Sequence, residues 1–228
     1  MLLNFICLIL IMLNVGGKDV LWTDTFDYPD GALPSVYWSE GCEGVIRNGR
    51  LYIDADTVGS RASTVWLNKE FSGDIHVEFD VQVVSSSDTA NNINLFFMYS
   101  DPSGKSLRQS APERQSGTYS LYHQLNGYIF TNVTNGNETK VRYRFRDNPG
   151  FKLLDEAFTG ENRVGETHHI KIIKKANRFQ YWVDGEKILD TVDDKHNPLY
   201  EHGIIGLRTW HTALSFDNLT VERLKECR

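Results

Sequence analysis

The chain has 228 residues, 40% of them hydrophobic and 24% charged, with 18 glycines and 6 prolines. Those proportions suit one globular domain with a sizeable core and exclude bulk disorder, collagen and coiled coil. Lys and Arg number 24 against 30 Asp and Glu, a formal charge of −6. That balance opposes a phosphate backbone, so no nucleic acid is expected as a partner.

Leu2 to Val15 form a nearly unbroken apolar run, followed by Gly16 and Gly17. The run is shorter than the about 20 apolar residues of a membrane span. It has the length of a signal-peptide core ending in small residues, although no Lys or Arg precedes Lys18. The expectation is a signal peptide over 1–17, a mature domain over 18–228, and a secreted protein (periplasmic in a bacterium) with no membrane span. Asn132-Val-Thr, Asn137-Glu-Thr and Asn218-Leu-Thr are glycosylation acceptors in a secretory setting. Cleavage would remove Cys7 and leave Cys42 and Cys227. These two can form a disulfide, which on the chain-entropy model contributes about 4 kcal/mol; the alternative is a pair of free thiols. No Cys-x-x-Cys or His-x-x-x-His spacing points to zinc.

From Val20 onward, short runs of Val, Ile, Phe, Tyr and Trp alternate with Gly, Asp, Asn and Ser, without a sustained 3.6-residue period. Period-two alternation predicts strands at Arg50 to Asp54, His76 to Val83, Asn92 to Tyr99, Tyr128 to Asn132 and Lys140 to Arg146. It continues at His168 to Ile173, Arg178 to Val183, Lys187 to Val192 and Leu214 to Val221. Asn48-Gly49 and Asp184-Gly185 are hairpin signals. The polar stretches Ser85 to Asn91 and Ser100 to Thr118 read as rim loops, where binding residues commonly sit. The fold class is all-β, an antiparallel sandwich of two sheets in a single domain.

The ending Gly203-Ile-Ile-Gly-Leu-Arg-Thr-Trp-His211, followed by Leu214-Ser-Phe-Asp-Asn-Leu-Thr-Val221, resembles the closing strands of concanavalin A-like, or laminin-G-like, jelly rolls. Leu21 to Asp27 and Asn177 to Ile188 are similar to the same superfamily. Leu95 to Pro102, Tyr119 to Tyr128 and Arg142 to Phe151 resemble the YesU-like proteins, a group without an assigned reaction found in bacterial loci for polysaccharide breakdown. The resemblance spans about residues 20 to 224 and implies a jelly-roll fold. That fold hosts lectins, glycoside hydrolases and lyases alike.

Three clusters carry candidate chemistry. Arg142, Arg144 and Arg146 share one strand face, a cationic stripe suited to carboxylates or sulfates if it lies on a concave sheet, and to cross-strand acids if it does not. Tyr119, Tyr122, His123, Asn126 and Tyr128 mix aromatic and polar groups as sugar clefts do. Alternation puts Tyr119 and His123 on one face and Tyr122 and Asn126 on the other. Arg208, Trp210 and His211 form the third cluster, with Trp210 either a stacking platform or core. Asn94 shares a face with Asn92, Phe96 and Met98 and is the hydroxyl-binding group there.

The expected partner is a polysaccharide or oligosaccharide, acidic in character. His123 or Tyr122 would serve as the base of a β-elimination with Arg144 steadying the enolate. Asn94, Tyr119, Asn126, Tyr128, Arg142, Arg146, Arg208, Trp210 and His211 would bind substrate. A lectin-like module, a glycoside hydrolase and a laminin-G-like interaction protein are the alternatives. For hydrolysis, Glu78-Phe-Asp80 gives two acids on a strand face, but Val83 stands where a jelly-roll glucanase has its second Glu. No cofactor is required; Asp217 with Asp24 or Asp27 offers oxygen ligands for a structural Ca²⁺, or else these acids cap turns.

Overall fold

The structure is a computed structural model describing residues 19–134, 138–195 and 200–225. The expected signal peptide, Asn137 and Cys227 lie outside the described residues. Sixteen strands are found among the residues described. They begin with β1 (Asp19–Asp24), β2 (Gly31–Ala32), β3 (Tyr37–Gly41), β4 (Gly44–Ile46), β5 (Leu51–Asp54), β6 (Ala62–Ser72), β7 (Ile75–Ser85) and β8 (Ile93–Ser100). A short helix α1 (Leu107–Ser110) and two 3-10 turns (Ala111–Arg114 and Tyr119–Tyr122) come next. The chain continues through β9 (Asn126–Val133), β10 (Val141–Asn148), β11 (Lys152–Thr159), β12 (Thr167–Lys175), β13 (Arg178–Val183), β14 (Glu186–Val192), β15 (His202–Trp210) and β16 (Ala213–Arg223).

Two antiparallel sheets result. The nine-stranded sheet runs β14-β13-β12-β7-β16-β5-β4-β2, with β1 added alongside β16; the seven-stranded sheet runs β11-β10-β9-β8-β15-β6-β3. Val77, Phe79, Val81 and Val83 of β7 point into the gap between the sheets and meet Phe97, Phe130, Phe145 and Leu207 from the other side. The β4–β5 and β13–β14 hairpins turn at Asn48-Gly49 and Asp184-Gly185, all four residues at positive φ, as a two-residue type I′ turn requires.

Two expectations change. Met98 does not share a face with Asn94 and Phe96: it adopts φ of 56° at an irregularity in the β8–β9 register, and its side chain joins the inter-sheet core. Tyr119 to Tyr122 is a 3-10 turn rather than part of a strand, so alternation does not govern which way those side chains point.

Residues 101–125 fold back over part of the outer face of the seven-stranded sheet and form a roof. Beneath it Trp66, Phe96, Tyr99, Leu107, Tyr122, Leu125 and Ile129 make a second buried cluster. Gly206 makes room for it, since a Cβ there would stand 2.6 Å from the Trp66 ring. The roof is pinned at Arg114, whose Nε and Nη2 donate to the two carboxylate oxygens of Glu40 at 3.1 and 2.9 Å, both side chains being buried. Asn148 Nδ2 holds the far end, donating to Tyr99 Oη at 2.8 Å and the Tyr122 carbonyl at 3.2 Å. At Gly117, with φ of 66°, the chain crosses β3 so closely that a Cβ would lie 2.9 Å from Gly41 Cα.

Candidate functional site

Seven residues, one per strand, stand in a row across the seven-stranded sheet. In strand order the register pairs Glu156, Arg144, Thr131, Asn94, Arg208, Thr64 and Glu40, each opposite the next. Their chain neighbours Phe145, Phe130, Leu95, Leu207 and Val65 fill the inter-sheet core, so alternation turns the row to the outer face. The row runs along the edge of the roof.

The acids at its two ends are committed elsewhere. Glu40 is taken by Arg114, and Glu156 accepts from Arg142 Nε and Nη2 at 2.9 and 2.8 Å. The middle therefore reads cation, hydroxyl, amide, cation. Arg208 is 1% exposed, and Nη1 donates to Thr64 Oγ1 at 2.9 Å. Its Nε and Nη2 have no hydrogen-bond partner, and no carboxylate pairs with it among the described residues. The rings of Tyr119, Tyr122 and Phe96 surround the guanidinium, with centroids 4.7, 4.9 and 5.4 Å from Cζ. Arg144 Nε is likewise buried without a partner. Burial, and then the neighbouring Arg146, lower the Arg144 pKa from its ordinary value. Asn94 Nδ2 donates to Asn92 Oδ1 at 2.6 Å, leaving its own buried Oδ1 unmet.

A cleft of about 460 Å³ opens over this row. Its floor and walls include Arg144, Thr131, Asn94 and Arg208, with Tyr119 and Phe151 on the roofed side and Val133, Asn92, Ala62 and Trp210 on the open side. Trp210 is 42% exposed and stacks on His211, with centroids 4.0 Å apart. The His211 Nδ1 in turn contacts Asp88, which fixes the platform's rim. Burial raises the Tyr119 pKa above 10.0 against the opposing pull of Arg208, so its phenol keeps its proton at neutral pH. No Asp, Glu, His, Lys or Cys lines the cleft among the described residues.

The sequence candidates divide accordingly. Arg144, Asn94, Tyr119, Arg208 and Trp210 converge on the cleft. Tyr122 does not: it is fully buried under the roof against Trp66 and Phe96. His123 lies outside the lining, stacked on Phe151 at 4.2 Å and edge-on to Tyr119. Tyr128 is in the inter-sheet core and donates to Asp193 at 2.9 Å, because the first residues of β9 place it inward. Asn126 lies at the start of β9 beside Ser100. Arg142 is spent on Glu156, and Arg146 donates to the Phe151 carbonyl at 3.2 Å with its guanidinium over that ring. Two lining residues were missed: Thr131, legible only through cross-strand register, which a single strand's pattern does not carry, and Phe151, brought in by the turn between β10 and β11.

The three aspartates that offered oxygen ligands engage separate partners. Asp24 accepts from Tyr37 Oη at 2.7 Å and the Phe26 amide at 2.8 Å, Asp27 from Thr25 Oγ1, and Asp217 pairs with Arg50 at 3.3 Å. Among the described residues no three His, Cys, Asp or Glu side chains are grouped to hold a metal ion. Glu78 and Asp80 stand on the outer face of the opposite sheet, beside Lys171 and His169, away from the cleft. Cys42 is buried and donates to the Val58 carbonyl at 3.0 Å. Asn132 is buried with its Oδ1 bonded to Asn162, whereas Asn218 is exposed. Among the described residues no helix is long and apolar enough to cross a membrane. A second depression, of about 660 Å³, lies between β3 and the roof, but its Glu40 is spent on Arg114 and its Arg108 donates to the Ser35 carbonyl.

His123 gives one test of this arrangement. Burial first, then the charges of Arg208 and Arg146, hold its pKa below 6.5. With the folded value depressed, its contribution to stability is intact above the unfolded value and lost as pH falls through 6.5 and below. In thermal melts from pH 8 to about 5, His123→Phe, which keeps the stack on Phe151, should lose less stability on acidification than the parent chain. Equal slopes would place the imidazole in water.

Comparison with curated proteins gives no match. Among solved structures, a protein of unknown function with a galectin-like fold from Bacillus subtilis superposes with a TM-score of 0.76 at 18% identity, covering 91% of this chain and 97% of its own. The carbohydrate binding module CBM66 from Bacillus subtilis gives 0.59 at 16% identity, over 85% and 99%. An endo-beta-1,3-glucanase from Pyrococcus furiosus gives 0.58 at 12%, over 90% and 94%. At these identities the likeness establishes the concanavalin A-like jelly-roll sandwich. Residues 58–219 match a family-wide pattern, and the chain belongs to the family described as Domain of unknown function (DUF6250).

Proposed function

We propose that this protein is a secreted carbohydrate-binding domain that takes an acidic, uronate-type oligosaccharide or polysaccharide into the cleft beneath Tyr119. The observation that carries the reading is Arg208: a buried guanidinium with two unmet donors and no carboxylate is a costly arrangement unless an anion completes it. Its free Nε and Nη2 form the parallel pair of donors that meets a planar carboxylate bidentately. Asn94 Oδ1 accepts from a sugar hydroxyl, and exposed Trp210 offers an aromatic face to a pyranose ring. The carbohydrate-binding module and the glucanase of similar fold support the class of ligand. The segments quoted above that resemble YesU-like proteins agree with it.

Binding is favoured over cleavage by what the cleft contains. Hydrolysis by a carboxyl pair needs two acids about 5–10 Å apart, and the lining has none. Elimination needs a base at the cleft, where Tyr119 holds its proton and His123 and Tyr122 do not reach. The test is calorimetric titration with uronate oligosaccharides and their carboxyl-reduced counterparts, with ultraviolet absorbance followed for unsaturated product. Acidic ligands should bind, weaken with added salt, and release no product. Equal affinity for the reduced ligands would overturn the anionic reading; appearance of unsaturated ends would overturn the non-catalytic one.

A further inference from the structure

Resting on that reading, the row of residues adds a requirement on the ligand's length and charge spacing. Arg144 is on β10 and Arg208 on β15, with β9 and β8 between them, so three inter-strand steps separate their backbones. At about 4.8 Å per step the separation is about 14 Å, wider than one pyranose ring. Side chains stand roughly perpendicular to a sheet. Arg208 moreover leans the wrong way to converge with Arg144: its Nη1 is held by Thr64 on β6, the strand beyond β15. Between the two cations the row offers Thr131 and Asn94, a hydroxyl and an amide suited to uncharged sugar hydroxyls.

We infer that the cleft selects an oligosaccharide bearing acidic groups on two different residues, its chain lying across the strands so that Arg208 and Arg144 each meet a separate carboxylate. A single uronic acid satisfies only one end. The flanking residues agree with this direction, since Val133 of β9, Asn92 just before β8, Trp210 of β15 and Ala62 of β6 line the cleft along the same crossing of strands.

The experiment is a double-variant cycle on the whole domain: calorimetric affinity of the parent chain, Arg144→Met, Arg208→Met and the double variant for a defined oligosaccharide with two uronates, beside a monouronate. Thermal melts confirm that each variant is folded, and Arg144→Lys, which retains the charge without the fork, serves as a second probe. Each Met substitution should weaken the two-acid ligand by about ten- to hundredfold, and the losses should multiply, as for sites that share no partner. The parent should bind the monouronate at least about tenfold more weakly. A double variant no weaker than the poorer single one means both arginines grip one carboxylate, and overturns the inference while leaving anion binding intact. Parent chain that ignores every uronate ligand overturns the underlying reading as well.

Discussion

Replacing Arg208 with methionine should weaken binding of acidic oligosaccharide about ten- to hundredfold and, at the same time, make the protein more stable. Two guanidinium donors are buried without partners, each carrying a desolvation penalty of about 1–3 kcal/mol. The surrounding rings of Phe96, Tyr119 and Tyr122 return about 2 kcal/mol through cation–π attraction. Methionine fills a similar volume and suits an aromatic setting. The net expectation is a gain of about 1–2 kcal/mol, by analogy with buried charges replaced by apolar side chains. For a domain of this size that is a rise in Tm of about 2–8 °C, read by calorimetry or circular dichroism. A fall in Tm of similar size would mean that the arginine has a structural partner in the folded chain, and the case for a ligand there would lose its main support.

The opposite sign is expected at the roof's anchor. Arg114→Met strands the Glu40 carboxylate, 2% exposed, without its bidentate partner. Breaking a buried pair in this way costs about 3–5 kcal/mol, or about 6–20 °C in Tm. Because Arg114 Nη2 also donates to the Leu107 carbonyl and Nη1 to Ser110 Oγ, the loss should be concentrated in the roof. Native-state amide exchange should quicken over residues 107–122 before it does in β7 or β16. Substituting Glu40→Leu together with Arg114→Met should recover most of the stability, since the stranded charge is then gone. If the single and double variants melt alike, the pair contributes through packing rather than charge.

The two-sheet architecture was legible wherever one face of a strand is wet. In β7, core residues Val77, Phe79, Val81 and Val83 alternate with half-buried polar ones, and the period of two is plain. β6 gave no such signal: Ala62 to Leu67 are buried on both faces, one against the opposite sheet and the other under the roof or the cleft, so the alternation disappears. β3 is too short to show a period, and β11, with Leu153 and Phe158 exposed, alternates weakly. For the candidate site, residue type picked out Arg208, Arg144, Asn94, Tyr119 and Trp210, which line the cleft, together with Arg142, Arg146, His123, Tyr122 and Tyr128, which do not. What one sequence does not contain is which partner each arginine of the stripe finds. Register sets Glu156 opposite Arg144, yet Arg142 takes that acid; Arg146 has a ring and a carbonyl, and Arg144, its Nε unmet, lines the cleft. The roof was equally hidden, because a polar, Ser-rich stretch reads as a rim loop unless the few residues that dive beneath it, Leu107, Tyr122 and Leu125, are known to share a cluster.

The pairing of the row's terminal acids also shapes how a ligand arrives. With Glu40 and Glu156 neutralised and two cations left between them, the cleft is attractive at contact. The chain as a whole carries a formal charge of −6, so at a distance a polyanion is repelled. Approach and retention are then set by different fields: the far one is screened within about 10 Å at 0.1 M salt, while the near one acts between partly desolvated groups and is screened less. Salt should therefore speed the encounter even as it shortens the lifetime of the complex, the reverse of electrostatic steering. Such a domain would discriminate among acidic chains by how long they stay rather than by how often they collide with it.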